Sequence, residues 1–135
     1  MSWWLKLVRW LLRLLGLIND RPMPVSNMTL EIEMGRATLN WTLPTTREDG
    51  VALDVSEIMG TEISMSADGG ANYSPVVVVA SDVPQTFVVD NLTAGTYAFK
   101  ATVVDTADRR SVDAVVTGTL LAAPAGIDDL SVTID

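Results

Sequence analysis

The stretch Asp90-Asn91-Leu92-Thr93-Ala94-Gly95-Thr96-Tyr97-Ala98-Phe99-Lys100-Ala101-Thr102-Val103 decides how the rest of the chain is read. Tyr97, Phe99, Ala101 and Val103 are apolar at every second position, and Thr96, Ala98, Lys100 and Thr102 between them are small or polar. A period of two places successive side chains on opposite faces of an extended backbone, so the segment predicts a strand with one buried face. Immediately upstream, Phe87 and Val89 supply another strand that turns through Asn91-Leu92 into this one.

Further upstream the same period recurs. Met28, Leu30 and Ile32 alternate with Thr29, Glu31 and Glu33, and Ala37, Leu39, Trp41 and Leu43 alternate with Thr38, Asn40 and Thr42. Residues 44–60 form a long connection of mixed pattern, after which Ile63 and Met65 carry a strand. Ser66-Ala67-Asp68-Gly69-Gly70-Ala71-Asn72-Tyr73 predicts a hairpin, since Asp-Gly-Gly provides the positive φ angles such turns need. The β-branched run Val76-Val77-Val78-Val79 reads as strand. Downstream, 105–111 is a loop, and Val112, Ala114, Val116, Thr119 and Leu120 form the last strand of the set. Seven short strands separated by turns predict an all-β sandwich.

Two motifs connect this pattern to a family. Leu92-x-x-Gly95-x-Tyr97 resembles the E–F corner of fibronectin type III and related immunoglobulin-like sandwiches, and Leu39-x-Trp41-x-x-Pro44 resembles their B strand. The resemblance covers roughly residues 24–121 and implies a mainly β fold, a single seven-stranded fibronectin type III-like sandwich, with Trp41 in the core and Tyr97 locking the corner. It departs where the family usually has Gly-Tyr and this chain has Gly60-Thr61. The 66–73 turn also resembles an Asp-box, Ser-x-Asp-x-Gly-x-x-aromatic, which implies a folding device. A sandwich does not itself name a function.

Composition narrows the chemistry. With no cysteine and no histidine, a disulfide framework, a thiolate metal site and the commonest general base are all excluded, so no catalytic residue, cofactor or metal is expected. Residues 1–22 carry Lys6, Arg9, Arg13 and Arg21 against Asp20, a net +3, whereas the other 113 residues hold five basic and sixteen acidic side chains, a net −11. So acidic a body repels a phosphate backbone, and direct nucleic-acid binding is disfavoured.

The basic segment is a separate object. Residues 3–18 predict a helix with one narrow polar stripe, Lys6, Arg9, Arg13 and Gly16, and an apolar surface made of Trp3, Trp4, Leu7, Val8, Trp10, Leu11, Leu14, Leu15, Leu17 and Ile18. At this length and with three cations it does not suit a membrane span, and it lacks the layout of a secretory signal. Two uses remain: an assembly helix seated in a hydrophobic groove of a partner, or an interfacial helix with Trp anchors. A third possibility is that it covers an open face of its own domain.

At the other end, Ala122-Ala123-Pro124-Ala125-Gly126 breaks the sandwich, and Asp129-Leu130-Ser131-Val132-Thr133-Ile134 regains strand alternation. An extra edge strand offering Leu130, Val132 and Ile134 pairs with its own sheet or adds to that of a neighbouring subunit. The chain thus divides into 1–21 (amphipathic anchor and linker), 22–121 (sandwich) and 122–135 (tail with an extra strand). Arg109 and Arg110, adjacent in an acidic domain, read as a solvated loop tip, with contact to an acidic partner as the alternative.

A sandwich with short hydrophobic arms resembles the small decoration or cement proteins of tailed bacteriophage virions. That resemblance implies a non-enzymatic structural role in a virion, as a homo- or hetero-oligomeric assembly with a capsid or tail protein. The alternative expectation is a peripheral membrane module in which Trp3, Trp4 and Trp10 sit at headgroup depth.

Overall fold

The structure is a computed structural model; it describes residues 3–14 and 19–122, the side chains of residues 12–14 aside. Helix α1 (Trp3–Leu14) is followed by β1 (Ser26–Glu33), β2 (Arg36–Thr42), β3 (Ile58–Ser66), β4 (Ser74–Ala80), β5 (Thr86–Val89), β6 (Gly95–Asp105) and β7 (Ala114–Leu120). All pairing is antiparallel, in a three-stranded sheet of order β1-β2-β5 and a four-stranded sheet of order β4-β3-β6-β7. The seven expected strands are present, and the alternation that predicted β6 is its burial pattern: Tyr97, Phe99, Ala101 and Val103 are all in the core.

The core lies between the sheets. Phe99, Ile63 and Val103 from one face Leu39 and Trp41 from the other, each 5% exposed or less. Trp41 can be buried because its indole N–H donates to Gln85 Oε1 at 2.8 Å, leaving no orphan donor inside. The Tyr97 hydroxyl donates to the Thr93 carbonyl at 2.6 Å, closing the corner that the Leu-x-x-Gly-x-Tyr pattern implied. Leu92 N–H donates to the Gly35 carbonyl at 2.9 Å, so the β1–β2 hairpin and the corner share one end of the sandwich.

In the 66–73 hairpin, Asp68 Oδ1 accepts from the Ser66 hydroxyl at 2.6 Å and from the N–H groups of Ala71 and Asn72, and Oδ2 accepts from the Asn72 amide. These bonds, led by that from Ser66, hold the Asp68 carboxyl well below the usual carboxylate range. With its lone pairs consumed by the turn, Asp68 acts as the folding device the Asp-box pattern implied.

Three local features bear on the sequence reading. Residues 19–24 run alongside the β2–β3 connection: Arg21 C=O accepts from Glu48 N–H, Met23 N–H donates to Thr46 C=O, and Pro22 bridges to Arg47. Strand β7 begins at Ala114 rather than Val112, because the Ser111 hydroxyl takes the Val103 N–H at 2.9 Å in place of a main-chain acceptor and the ladder is interrupted. Helix α1 is described to Leu14, and residues 15–18 of the expected helix lie outside the described residues.

Candidate interaction surface

The end of the sandwich opposite the corner gathers charge. The β2–β3 connection, the β6–β7 loop and residues 19–21 converge there. Arg47, 5% exposed, donates to Asp105 Oδ2 at 2.7 Å, to the Asp20 carbonyl at 3.0 Å and to Glu57 at 3.2 Å. Asp105, 1% exposed, also accepts the N–H groups of Ala107 and Arg109 at 2.9 and 2.8 Å, while the Arg109 guanidinium lies 3.3 Å from it and 3.4 Å from Asp20. Burial alone pushes the Asp105 carboxyl up, but the Arg47 bond and the loop N–H donors outweigh it and hold it below its ordinary value. Burial likewise pulls Arg47 down, and its bonds to Asp105 and Glu57 outweigh that. Among the described residues the buried Arg47 and Asp105 are thus matched to each other, the condition under which an ionic cluster survives inside a fold.

Helix α1 sits on this charged end by its polar stripe. Arg9 pairs with Asp49, which also accepts Val51 N–H at 3.1 Å. Burial raises the Asp49 carboxyl, yet the bond from Arg9 overrides it and keeps the group ionised below its ordinary value. Leu7 and Val8 flank Arg9 and are half-buried. A cleft of about 260 Å³ remains between helix and sandwich, lined by Lys6, Arg9 and Trp10 on one side and by Asp20, Arg47 and Arg109 on the other.

Docking by its polar edge leaves the helix's apolar surface outward. Trp3 is 76% exposed, Trp4 63%, and Leu5, Trp10 and Leu11 are each about half exposed. The helix therefore does not cover an open face of its own domain; it is held with its greasy side to solvent. Large contiguous apolar surfaces of this kind mark interaction sites.

The expected anchor residues divide accordingly. Trp3, Trp4 and Leu11 face outward, Trp10 is half exposed and also lines the cleft, Leu7 and Val8 are half-buried, and Leu14 lies on α1 with its side chain undescribed. Leu15 and Ile18, and Leu130, Val132 and Ile134 of the tail, lie outside the described residues. Arg109 is engaged by Asp20 and Asp105, and Arg110 by Glu62 and, at 3.8 Å, Asp108, so this pair serves the domain's own acids. Nothing in the sequence marks Arg47, Asp49 and Asp105 as a set: the first two lie in the charged run Arg47-Glu48-Asp49 of one loop and the third at a strand end far along the chain, and only the fold brings Arg47 to Asp105. Among the described residues no cluster of Asp and Glu could hold a metal ion, and no helix is long and apolar enough to cross a membrane.

Solved structures of β-sandwich domains resemble this fold. The fibronectin type III domain of human collagen alpha-1(XX) chain is 21% identical, with 80% of this chain and 90% of that one covered at a TM-score of 0.56. The fold is a fibronectin type III-like sandwich. A computationally redesigned β-sandwich matches at a TM-score of 0.59 and 16% identity, covering 76% of this chain and 98% of that one. A titin fragment matches at 0.58 and 17%, covering 77% of this chain, which spans about a third (34%) of that one. No family model and no curated protein matches the chain.

Proposed function

We propose that this protein is a non-enzymatic structural component, a virion decoration or cement protein, whose helix α1 seats its apolar surface in a groove of a neighbouring capsid or tail subunit and whose residues 129–134 add an extra strand to an adjoining sheet. The observation that carries the reading is the direction in which α1 faces: Arg9 is spent on Asp49, and Trp3, Trp4, Trp10 and Leu11 are offered outward. Burying those four side chains and Leu5 contributes on the order of 5–10 kcal/mol before association costs, enough to fasten a small domain to a larger surface.

A protein groove suits this helix better than a lipid surface. An interfacial helix places its cations among anionic headgroups, but here Arg9 is turned to the sandwich and the body behind it carries the net −11 that an anionic bilayer repels. The buried carboxylate Asp105 is held by Arg47 and by backbone donors of its own loop. The test uses the full chain with vesicles of phosphatidylglycerol and phosphatidylcholine. Tryptophan emission is expected to stay unshifted at millimolar lipid; a blue shift that Trp3→Ser and Trp10→Ser abolish overturns the groove reading in favour of a membrane anchor.

A further inference from the structure

The apex of the β1–β2 hairpin holds a residue that the fold does not explain. Met34 and Gly35 are the two residues between Glu33 and Arg36, the last pair of the ladder, and both have positive φ, 53° and 80°. A two-residue turn of this kind favours Asn-Gly or Asp-Gly, because asparagine and aspartate tolerate the left-handed region and a bulky side chain does not. The other non-glycine residues with positive φ among the described residues are Asn27, Asn91 and Asp108, all of the tolerant type. Met34 is the exception.

The domain gains no burial in return. Met34 is 97% exposed, ahead of Leu121 at 81% and Trp3 at 76%, and so is the most exposed large apolar side chain among the described residues. Single apolar side chains on a surface are ordinary. One that also strains its own turn breaks two local rules with no local compensation, and such places are where a chain carries function.

Unmatched charge stands beside it. Met34 borders a cleft of about 610 Å³ lined also by Glu31, Glu33, Arg36, Asp90 and Leu92. Arg36 is taken by Asp90 at 2.6 Å, whereas Glu31 and Glu33, both exposed, have no ion pair among the described residues.

We propose that Met34 is a contact residue, inserted in an apolar pocket of a partner protein whose rim carries the lysines or arginines that meet Glu31 and Glu33. A thioether suits that use, being unbranched, polarisable and adaptable. The two carboxylates turn away an acidic or phosphate-bearing surface and steer a basic one in. Helix α1 and Met34 stand at opposite ends of the sandwich, so on the virion reading above, on which this one step rests, a single domain bridges two neighbouring subunits.

Peroxide footprinting tests the contact. Hydrogen peroxide transfers one oxygen atom to a methionine sulfur, which is oxidised to the sulfoxide while the peroxide is reduced to water, and the rate follows access to the sulfur. In the purified chain Met34 is expected to be oxidised at least tenfold faster than the partly buried Met28 and Met65. In the native source, in whichever gradient fraction holds the protein, Met34 is expected to be protected at least tenfold relative to the purified chain, and that protection to be lost at about 1 M salt. Met34 oxidised there as fast as in the purified chain overturns the inference, and protection that salt leaves intact overturns the cationic rim. Met34→Asn separates contact from fold: in urea the purified variant is expected to unfold at or above the parent's midpoint, and a lower midpoint overturns the inference, because methionine then serves the turn itself. Protection in a lipid fraction upholds the contact and removes the virion reading; unhindered oxidation in a particle fraction does the reverse.

Discussion

Replacing Arg47 by Met tests whether the charged end of the sandwich is a structural cluster. Arg47 is 5% exposed and its fork serves three acceptors at once: Asp105, Glu57 and the Asp20 carbonyl. Methionine fills similar volume but leaves Asp105, 1% exposed, without its nearest cation. Breaking one side of a buried pair costs about 3–5 kcal/mol. Asp105 keeps the Ala107 and Arg109 N–H bonds and the Arg109 guanidinium at 3.3 Å, which puts the expected loss at the lower end, about 3 kcal/mol. For a domain of this size that lowers Tm by about 12–24 °C. Arg47→Lys retains the charge but cannot bridge three acceptors, so about half the loss is expected. Urea denaturation of both variants, read by Trp41 fluorescence, supplies the free energies. A loss below about 1 kcal/mol for Arg47→Met would refute the reasoning, because it would mean that Arg109 alone neutralises the buried carboxylate.

Three further outcomes are expected. Tyr97→Phe deletes the bond to Thr93 and nothing else, so it should cost about 1 kcal/mol by chemical denaturation, and an unchanged midpoint would deny the corner its locking role. Gly60→Ala places a methyl 2.7 Å from the Val79 carbonyl oxygen, rigid backbone of the neighbouring strand, whereas Gly118→Ala meets only the movable tips of Ile32 and Leu30 at 2.9 and 3.0 Å; calorimetry should show the larger drop for Gly60→Ala. Asp49, Glu57 and Asp105 are all held below their ordinary values in the folded state, so the stability they contribute is present above about pH 4–5 and lost as pH falls through their lowered folded values. Tm should be flat from pH 8 to 5 and fall below pH 4, and a fall already under way between pH 7 and 6 would point to other groups.

The sandwich was legible because its strands carry their instructions locally. Alternation marks which side of β1, β2 and β6 is buried, and Leu92, Gly95 and Tyr97 fix a corner whose hydrogen bond closes within four residues. Helix α1 was legible as amphipathic for the same reason, but the side that faces the domain was not. That depends on Asp49, forty residues away, and on a charged end assembled from Asp20, Arg47 and Asp105, whose spacing in the chain holds no period. Arg109 and Arg110 show the same limit: adjacent arginines in an acidic chain read as a solvated tip, Arg110 is exposed, and the carboxylates that pair with the two, Asp20 and Glu62 among them, are distant in sequence. Local pattern encodes elements, while long-range ion pairs decide which surface is left outside.

The central claim is that the outward face of α1 fastens this domain to a large protein assembly. Density-gradient fractionation of the native source, following the protein by mass spectrometry against membrane and particle markers, tests it most directly. The account predicts that the protein sediments with DNA-filled particles at a fixed stoichiometry and resists release by mild detergent. Flotation with lipid and release by detergent alone would contradict it and make α1 a membrane anchor.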